Sequence, residues 1–133
     1  MRDVRWLAPD HPDATALSAT MARRFPHWRA GWAMPADAEV CVVYDGDQPV
    51  AGAAFAVRAG RADVTCLSTL REEQDGHALL AALEQAARER GCRSVRLDES
   101  SFHLFRELPG GYRTGPAYDG DADVPTWAER SLR

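Results

Sequence analysis

A chain of 133 residues has the usual size of one compact domain, and no second domain fits within it. Its formal net charge of −4 argues against a general affinity for nucleic acid, which needs a basic face, and permits a cationic substrate. No apolar run approaches a membrane span, and the opening Met1-Arg2-Asp3-Val4-Arg5 lacks the apolar stretch of a signal peptide, so the expectation is a cytoplasmic protein with no membrane partner.

In chain order, Glu39 to Tyr44 and Pro49 to Arg58 are apolar, β-favouring runs on either side of Asp45-Gly46-Asp47. Asp-Gly between two such runs is a strong turn signal, so the pair predicts a hairpin. Ala59-Gly60 leads into a third strand, Arg61 to Leu67, which makes the middle of the chain an antiparallel meander. From Ala62 to Leu97 the pattern changes to strand, short polar loop, glycine-opened amphipathic helix and second strand. Val64, Cys66 and Leu67 belong to the first strand. Leu79, Leu80, Leu83, Ala86 and Ala87 then recur at helical spacing until Gly91 stops the helix, and Val95 and Leu97 alternate with Ser94 and Arg96 as in a half-buried strand. Pro26 to Asp37 and Gly115 to Pro125 read as loops within the domain, and the chain has no internal repeat or low-complexity tract.

Cys41, Cys66 and Cys92 are too few and too scattered for a disulfide framework or a zinc site, so buried thiols are expected and no metal. All sixteen basic residues are arginine, which reads as compositional bias and excludes self-acetylation on a lysine side chain.

The chemistry is expected at Gly76-His77-Ala78, the mouth of the amphipathic helix. A glycine there lets a ligand approach the backbone, and the first-turn amides, having no intrahelical partners, can hold a phosphate together with the helix dipole. The segment resembles the coenzyme A-binding core of the GNAT superfamily of N-acetyltransferases, whose signature is Gln/Arg-x-x-Gly-x-Gly/Ala between a strand and a long helix. Gly76 and Ala78 match its small positions, and Glu73 stands at its first. The rest follows the family in order. Asp3 to Leu7 resembles its first strand, and Asp13 to Arg24 its first helix, with Ala16, Leu17, Ala19, Thr20 and Met21 as the apolar stripe. Ser101 to Leu108 resembles its last helix, Gly110-Gly111-Tyr112 the glycine-aromatic pair that follows, and Thr126 to Arg130 the closing strand.

The resemblance implies an α/β fold with a mixed, mostly antiparallel central sheet flanked by helices, and transfer of an acetyl group from acetyl-CoA, the cosubstrate, to an amine of a small molecule by direct attack. It further implies an acyl carbonyl held by the backbone NH groups of Leu67, Ser68, Thr69 and Leu70, with the pyrophosphate on Gly76, His77 and Ala78 assisted by Arg71 or Gln74. A general base helps such a reaction, and Glu39, Asp98 and Glu99 are candidates. Asp98 reads equally as a helix cap and Glu39 as a solvated strand end. The family's proton-donating tyrosine falls at Phe105 of Leu104-Phe105, which leaves Tyr112 or Tyr118 as substitutes. Trp28 and Trp32, on the segment after the first helix, are candidate acceptor-binding residues and equally candidate core residues. Glu72, Glu73 and Asp75 place three carboxylates around a site meant for a dianion. Two functions therefore stay open: an acetyltransferase, and a non-catalytic module of the same fold that binds a partner or forms a homodimer.

Overall fold

A computed structural model of the protein describes residues 2–16, 19, 38–69, 73–98, 109–114 and 127–132. The strands are β1 (Arg2–Leu7), β2 (Glu39–Asp45), β3 (Gln48–Arg58), β4 (Arg61–Thr69), β5 (Ser94–Asp98), β6 (Tyr112–Thr114) and β7 (Trp127–Ser131), and helix α1 (Glu73–Glu89) joins β4 to β5. They form one seven-stranded sheet in the order β1-β2-β3-β4-β5-β7-β6. Every neighbouring pair is antiparallel except β4 and β5, as a helical crossover requires.

Two tight turns build the meander. Gly46 takes φ +61° as the first central residue of the β2–β3 turn, the place where a two-residue loop needs a positive φ. Ala59 (φ 51°) and Gly60 (φ 76°) both lie in the left-handed region between β3 and β4, the pattern of a turn that matches strand twist.

β2 is buried over Val40–Tyr44, on both of its faces. Cys41 and Val43 meet the main core under α1, with Val50, Phe55, Val64, Leu67, Val95 and Leu97. Val40, Val42 and Tyr44 face the other way, onto Ala14 and Leu7. Two-sided burial explains why β2 reads as a continuous apolar run. Residues 12–16 are helical, and the backbone NH of Asp13 donates to the Nδ1 of His11 at 3.1 Å. Tyr44 Oη donates to Asp13 at 2.5 Å and so ties this segment to the sheet. The remainder of the expected first helix, Asp13 to Arg24, lies outside the described residues apart from a helical position at 19.

α1 buries Leu79, Leu80 and Leu83 completely or nearly so, each contributing roughly 1.5–3 kcal/mol of transfer free energy. Its end is a Schellman motif. The NH of Cys92 bonds to the carbonyl of Ala87 at 2.9 Å and that of Gly91 to Arg88 at 3.0 Å, with Gly91 at φ +74°. The helix starts at Glu73 and not at Gly76, so the glycine lies within the first turn instead of opening it. Among the described residues no helix is long and apolar enough to cross a membrane.

Candidate functional site

The sheet opens between its two parallel strands. β4 pairs with β5 only from Arg61↔Ser94 to Val64↔Leu97, yet β4 continues to Thr69 while still paired with β3 through Ser68↔Gly52 and Thr69↔Ala51. At the point of separation β4 carries a bulge. Between Thr65↔Ala54 and Ser68↔Gly52, the two residues Cys66 and Leu67 stand against the single Ala53. A bulge bends its strand and increases the local twist, which turns the end of β4 away from β5. β4 thus runs on from Thr65 to Thr69 past its last pair with β5, and the next described residue, Glu73, begins α1.

Of the residues expected to hold coenzyme A, Leu67 is fully buried, and Ser68 and Thr69 lie on β4 beyond the bulge. Leu70 and Arg71 lie outside the described residues. Gln74, His77 and Ala78 are exposed on the first turns of α1, and Gly76 is buried against the sheet side. That turn is acidic. Glu73 and Asp75 both occupy it, Asp75 at 2% exposure, and His77 Nε2 lies 3.9 Å from Glu73 Oε1. The carboxylates answer the positive end of the helix dipole, and they oppose a second anion placed there.

The three candidate proton carriers occupy separate places. Asp98 is half-buried at the tip of β5, opposite Trp127 of β7 and one residue past the last β4–β5 pair. Glu39 begins β2 and is ion-paired with Arg90, just past the C-terminal end of α1, the opposite end of the helix from Gly76. Arg90 in turn lies over the rings of Trp6 and Phe55, with its Cζ 5.3 and 5.0 Å from their centroids. Tyr112 is buried on β6 in the main core, and its hydroxyl has no hydrogen-bond partner among the described residues. Burial first, then the charge of Glu84, pushes its phenol far above the ordinary tyrosine range. Trp28, Trp32, Glu99 and Tyr118 lie outside the described residues, as does the segment that Asp98 would cap.

One charged pair escaped the sequence reading. Glu84 is 7% exposed on the inward face of α1 and forms an ion pair with Arg130 of β7, next to Tyr112. The signal was present: a glutamate follows Leu83 directly at a position where the helical stripe calls for an apolar residue. On the other face of the sheet, a groove of about 600 Å³ is lined by Ser94, Arg113, Trp127, Glu129 and Ser131, among others. Arg96 holds Glu129 at 3.0 Å and stacks on Trp127, its Cζ 4.1 Å from the ring centroid. With Glu129 engaged and Arg113 beside it, this groove does not offer the anionic lining an ammonium group would select.

A seven-stranded, mostly antiparallel sheet, opened between a bulged β4 and a parallel β5 that one helix connects, is the fold of the GNAT superfamily of N-acetyltransferases. No protein-family profile and no curated protein matches the sequence. Solved structures do. The chain is similar over 100% of its length to 99% of a Klebsiella pneumoniae protein named for acyl-CoA N-acyltransferase activity, at 22% identity and a TM-score of 0.76. It is similar over 98% of its length to 97% of an aminoglycoside 6′-N-acetyltransferase from Enterococcus faecium, at 16% identity and a TM-score of 0.70. A third likeness, at 15% identity and a TM-score of 0.66, places 98% of the chain on 35% of the N-acetylglutamate synthase from Neisseria gonorrhoeae, whose structure contains coenzyme A and N-acetyl-glutamate. The chain thus has the GNAT acetyltransferase fold.

Proposed function

We propose that the protein is an N-acetyltransferase that moves an acetyl group from acetyl-CoA to an amine of a small molecule by direct attack. The observation that carries this reading is the junction of three features: the bulge at Cys66–Leu67, the end of β4–β5 pairing at Val64↔Leu97, and a buried Gly76 in the helix turn that follows. That junction supports acetyl-CoA as the cosubstrate, against the two carboxylates of the same turn. The strand end beyond the bulge would run beside the pantetheine arm, and the amides of the first turn of α1, with Gln74 and His77, would meet the pyrophosphate.

Acetyl-CoA supplies an activated acyl carbonyl as its thioester. The backbone of β4 around Leu67, Ser68 and Thr69 would hold that carbonyl, and amides directed at the developing oxyanion would be the largest catalytic contribution. The amine must be neutral to attack. Asp98, at the tip of β5 just past the last β4–β5 pair, is our choice of proton acceptor. Glu39 is engaged by Arg90 at the far end of α1 and is better read as structural. Tyr112, buried in the main core with its phenol pushed still further above the ordinary tyrosine range, is the poorer proton donor for the departing thiolate and is better read as structural. A cytoplasmic location, where acetyl-CoA is available, goes with this reading.

The acidic first turn, Glu73 and Asp75, favours a second reading, a non-catalytic module of the same fold. Titration calorimetry with acetyl-CoA and free coenzyme A separates the two. Micromolar binding, abolished in a folded Gly76→Trp variant, supports the enzyme. Absence of heat together with an unchanged melting temperature supports the module, and wild-type affinity in Gly76→Trp sinks the site assignment.

A further inference from the structure

The two edges of the sheet differ. Among the described residues, β6 closes one with three residues, whereas β1 forms the other with six and pairs with β2 alone. The side chains along β1 are open: Asp3 and Arg5 expose 57% and 51% of their side-chain surface, and Val4 and Trp6 are each 38% exposed. A long open edge offers a row of backbone donors and acceptors to another strand unless charge or shape forbids it. Here the charges select a partner instead.

We infer that β1 pairs antiparallel with β1 of a second copy of this chain, joining two sheets edge to edge about a two-fold axis at Val4. The argument is one of register. A two-fold axis between identical antiparallel strands sets one residue opposite itself, and side-chain alternation then fixes the neighbours. An axis at Asp3 sets Asp3 against Asp3, and an axis at Arg5 sets Arg5 against Arg5, so both place like charges directly opposite. With Val4 on the axis, Asp3 of each copy faces Arg5 of the other. Opposite charges in cross-strand positions are favourable and like charges are not.

The same two residues are already bonded within one strand, Arg5 Nε donating to Asp3 at 2.8 Å, and Arg5 lies over the ring of Tyr44 at 4.5 Å. Both therefore project from the face of β1 that carries Leu7 and Tyr44. In the dimer the two internal pairs merge into one alternating cluster of four charges. On the opposite face Val4 meets Val4, which removes an exposed apolar side chain from water, while Trp6 stays against Phe55, with ring centroids 5.3 Å apart.

The test is sedimentation velocity of the full chain from low micromolar to sub-millimolar concentration. The wild type should sediment as a monomer–dimer equilibrium. Asp3→Arg and Arg5→Asp should each weaken dimerisation by about tenfold or more, since each reverses two cross-strand pairs. The two variants mixed should recover a heterodimer, because arginines then face aspartates at all four positions, and the double variant Asp3→Arg/Arg5→Asp should dimerise like the wild type. Val4→Lys, which sets like charges on the axis, should also give a monomer. Near-ultraviolet circular dichroism must show each variant folded. A wild type that stays monomeric throughout, a dimer indifferent to charge reversal, or a mixture of folded variants that does not associate would each overturn the inference.

Discussion

Glu84 on α1 and Arg130 on β7 are bonded across the main core, so the crossover helix is held to the inner C-terminal strand by charge as well as by packing. Glu84 exposes only 10% of its side chain and Arg130 33%, so loss of the carboxylate strands a guanidinium that can still turn partly to water. Glu84→Gln should therefore destabilise the fold by about 1–3 kcal/mol, below the cost of breaking a fully buried pair. Urea denaturation at constant m-value measures it. The apolar double substitution Glu84→Leu/Arg130→Met should recover most of that loss.

Gly111 supports the same pair. Its φ is +90°, and a Cβ added there would meet Arg130 Nε at 3.0 Å. Gly111→Ala should cost roughly 1–2 kcal/mol for the left-handed backbone, and more if Arg130 is displaced. A double-mutant cycle with Glu84→Gln should be clearly non-additive, since both changes disturb one contact.

Two turn residues have opposite expectations. Gly91 (φ +74°) has nothing within 4 Å of an added Cβ, so Gly91→Ala carries a backbone penalty alone, about 1 kcal/mol. Ala59 at φ 51° already bears such a penalty, and Ala59→Gly should raise stability by up to about 1 kcal/mol, less the entropy a glycine adds to the unfolded chain. Thermal melts of the two variants should move in opposite directions.

Stability should fall in alkali through Cys41. Burial pushes its thiol from 9.0 up to about 12. Between those values the unfolded chain releases this proton and the folded one keeps it, so the folded state is favoured fully below pH 9 and progressively less as pH rises, by about 1.4 kcal/mol per pH unit. Tyr44, raised to about 12 by burial and its bond to Asp13, adds to the slope above pH 10. Denaturation midpoints between pH 8 and 10 should show the decline, and Cys41→Val should flatten it.

For the chemistry, Asp98→Asn should lower the rate of acetyl transfer by roughly 10²–10⁴-fold with coenzyme A affinity retained. Glu39→Gln should leave the rate unchanged and only loosen Arg90. Stopped-time assays with a panel of amines, read beside calorimetric affinity, separate the two.

The strands and the helix were legible wherever a residue's own neighbours decide its structure. Asp45-Gly46 and Ala59-Gly60 set the hairpins, and Gly91 ends α1 at the position its spacing indicates. The first turn of α1 was missed because Glu73, Gln74 and Asp75 are polar, although Asp75 is buried. β6 was missed because three residues, Tyr112–Thr114, are too few to show alternation. What escaped entirely depended on distant partners. Nothing local to Glu39 announces Arg90, and nothing near Arg130 announces Glu84; both pairs follow from how α1 lies on the sheet.

β7 lies between β5 and β6, so among the described residues β6 pairs with the sheet through Tyr112↔Arg130, Arg113↔Glu129 and Thr114↔Ala128. During synthesis the sheet cannot close in the order in which it is made. β5 and then β6 leave the ribosome first, and the outer edge of β5 stays open until Trp127–Ser131 emerges, roughly two to seven seconds after β5 at ordinary elongation rates. In that interval Val95 and Leu97 have no β7 beside them, and the nascent chain presents the unpaired backbone edge of β5 to whatever chaperone attends it.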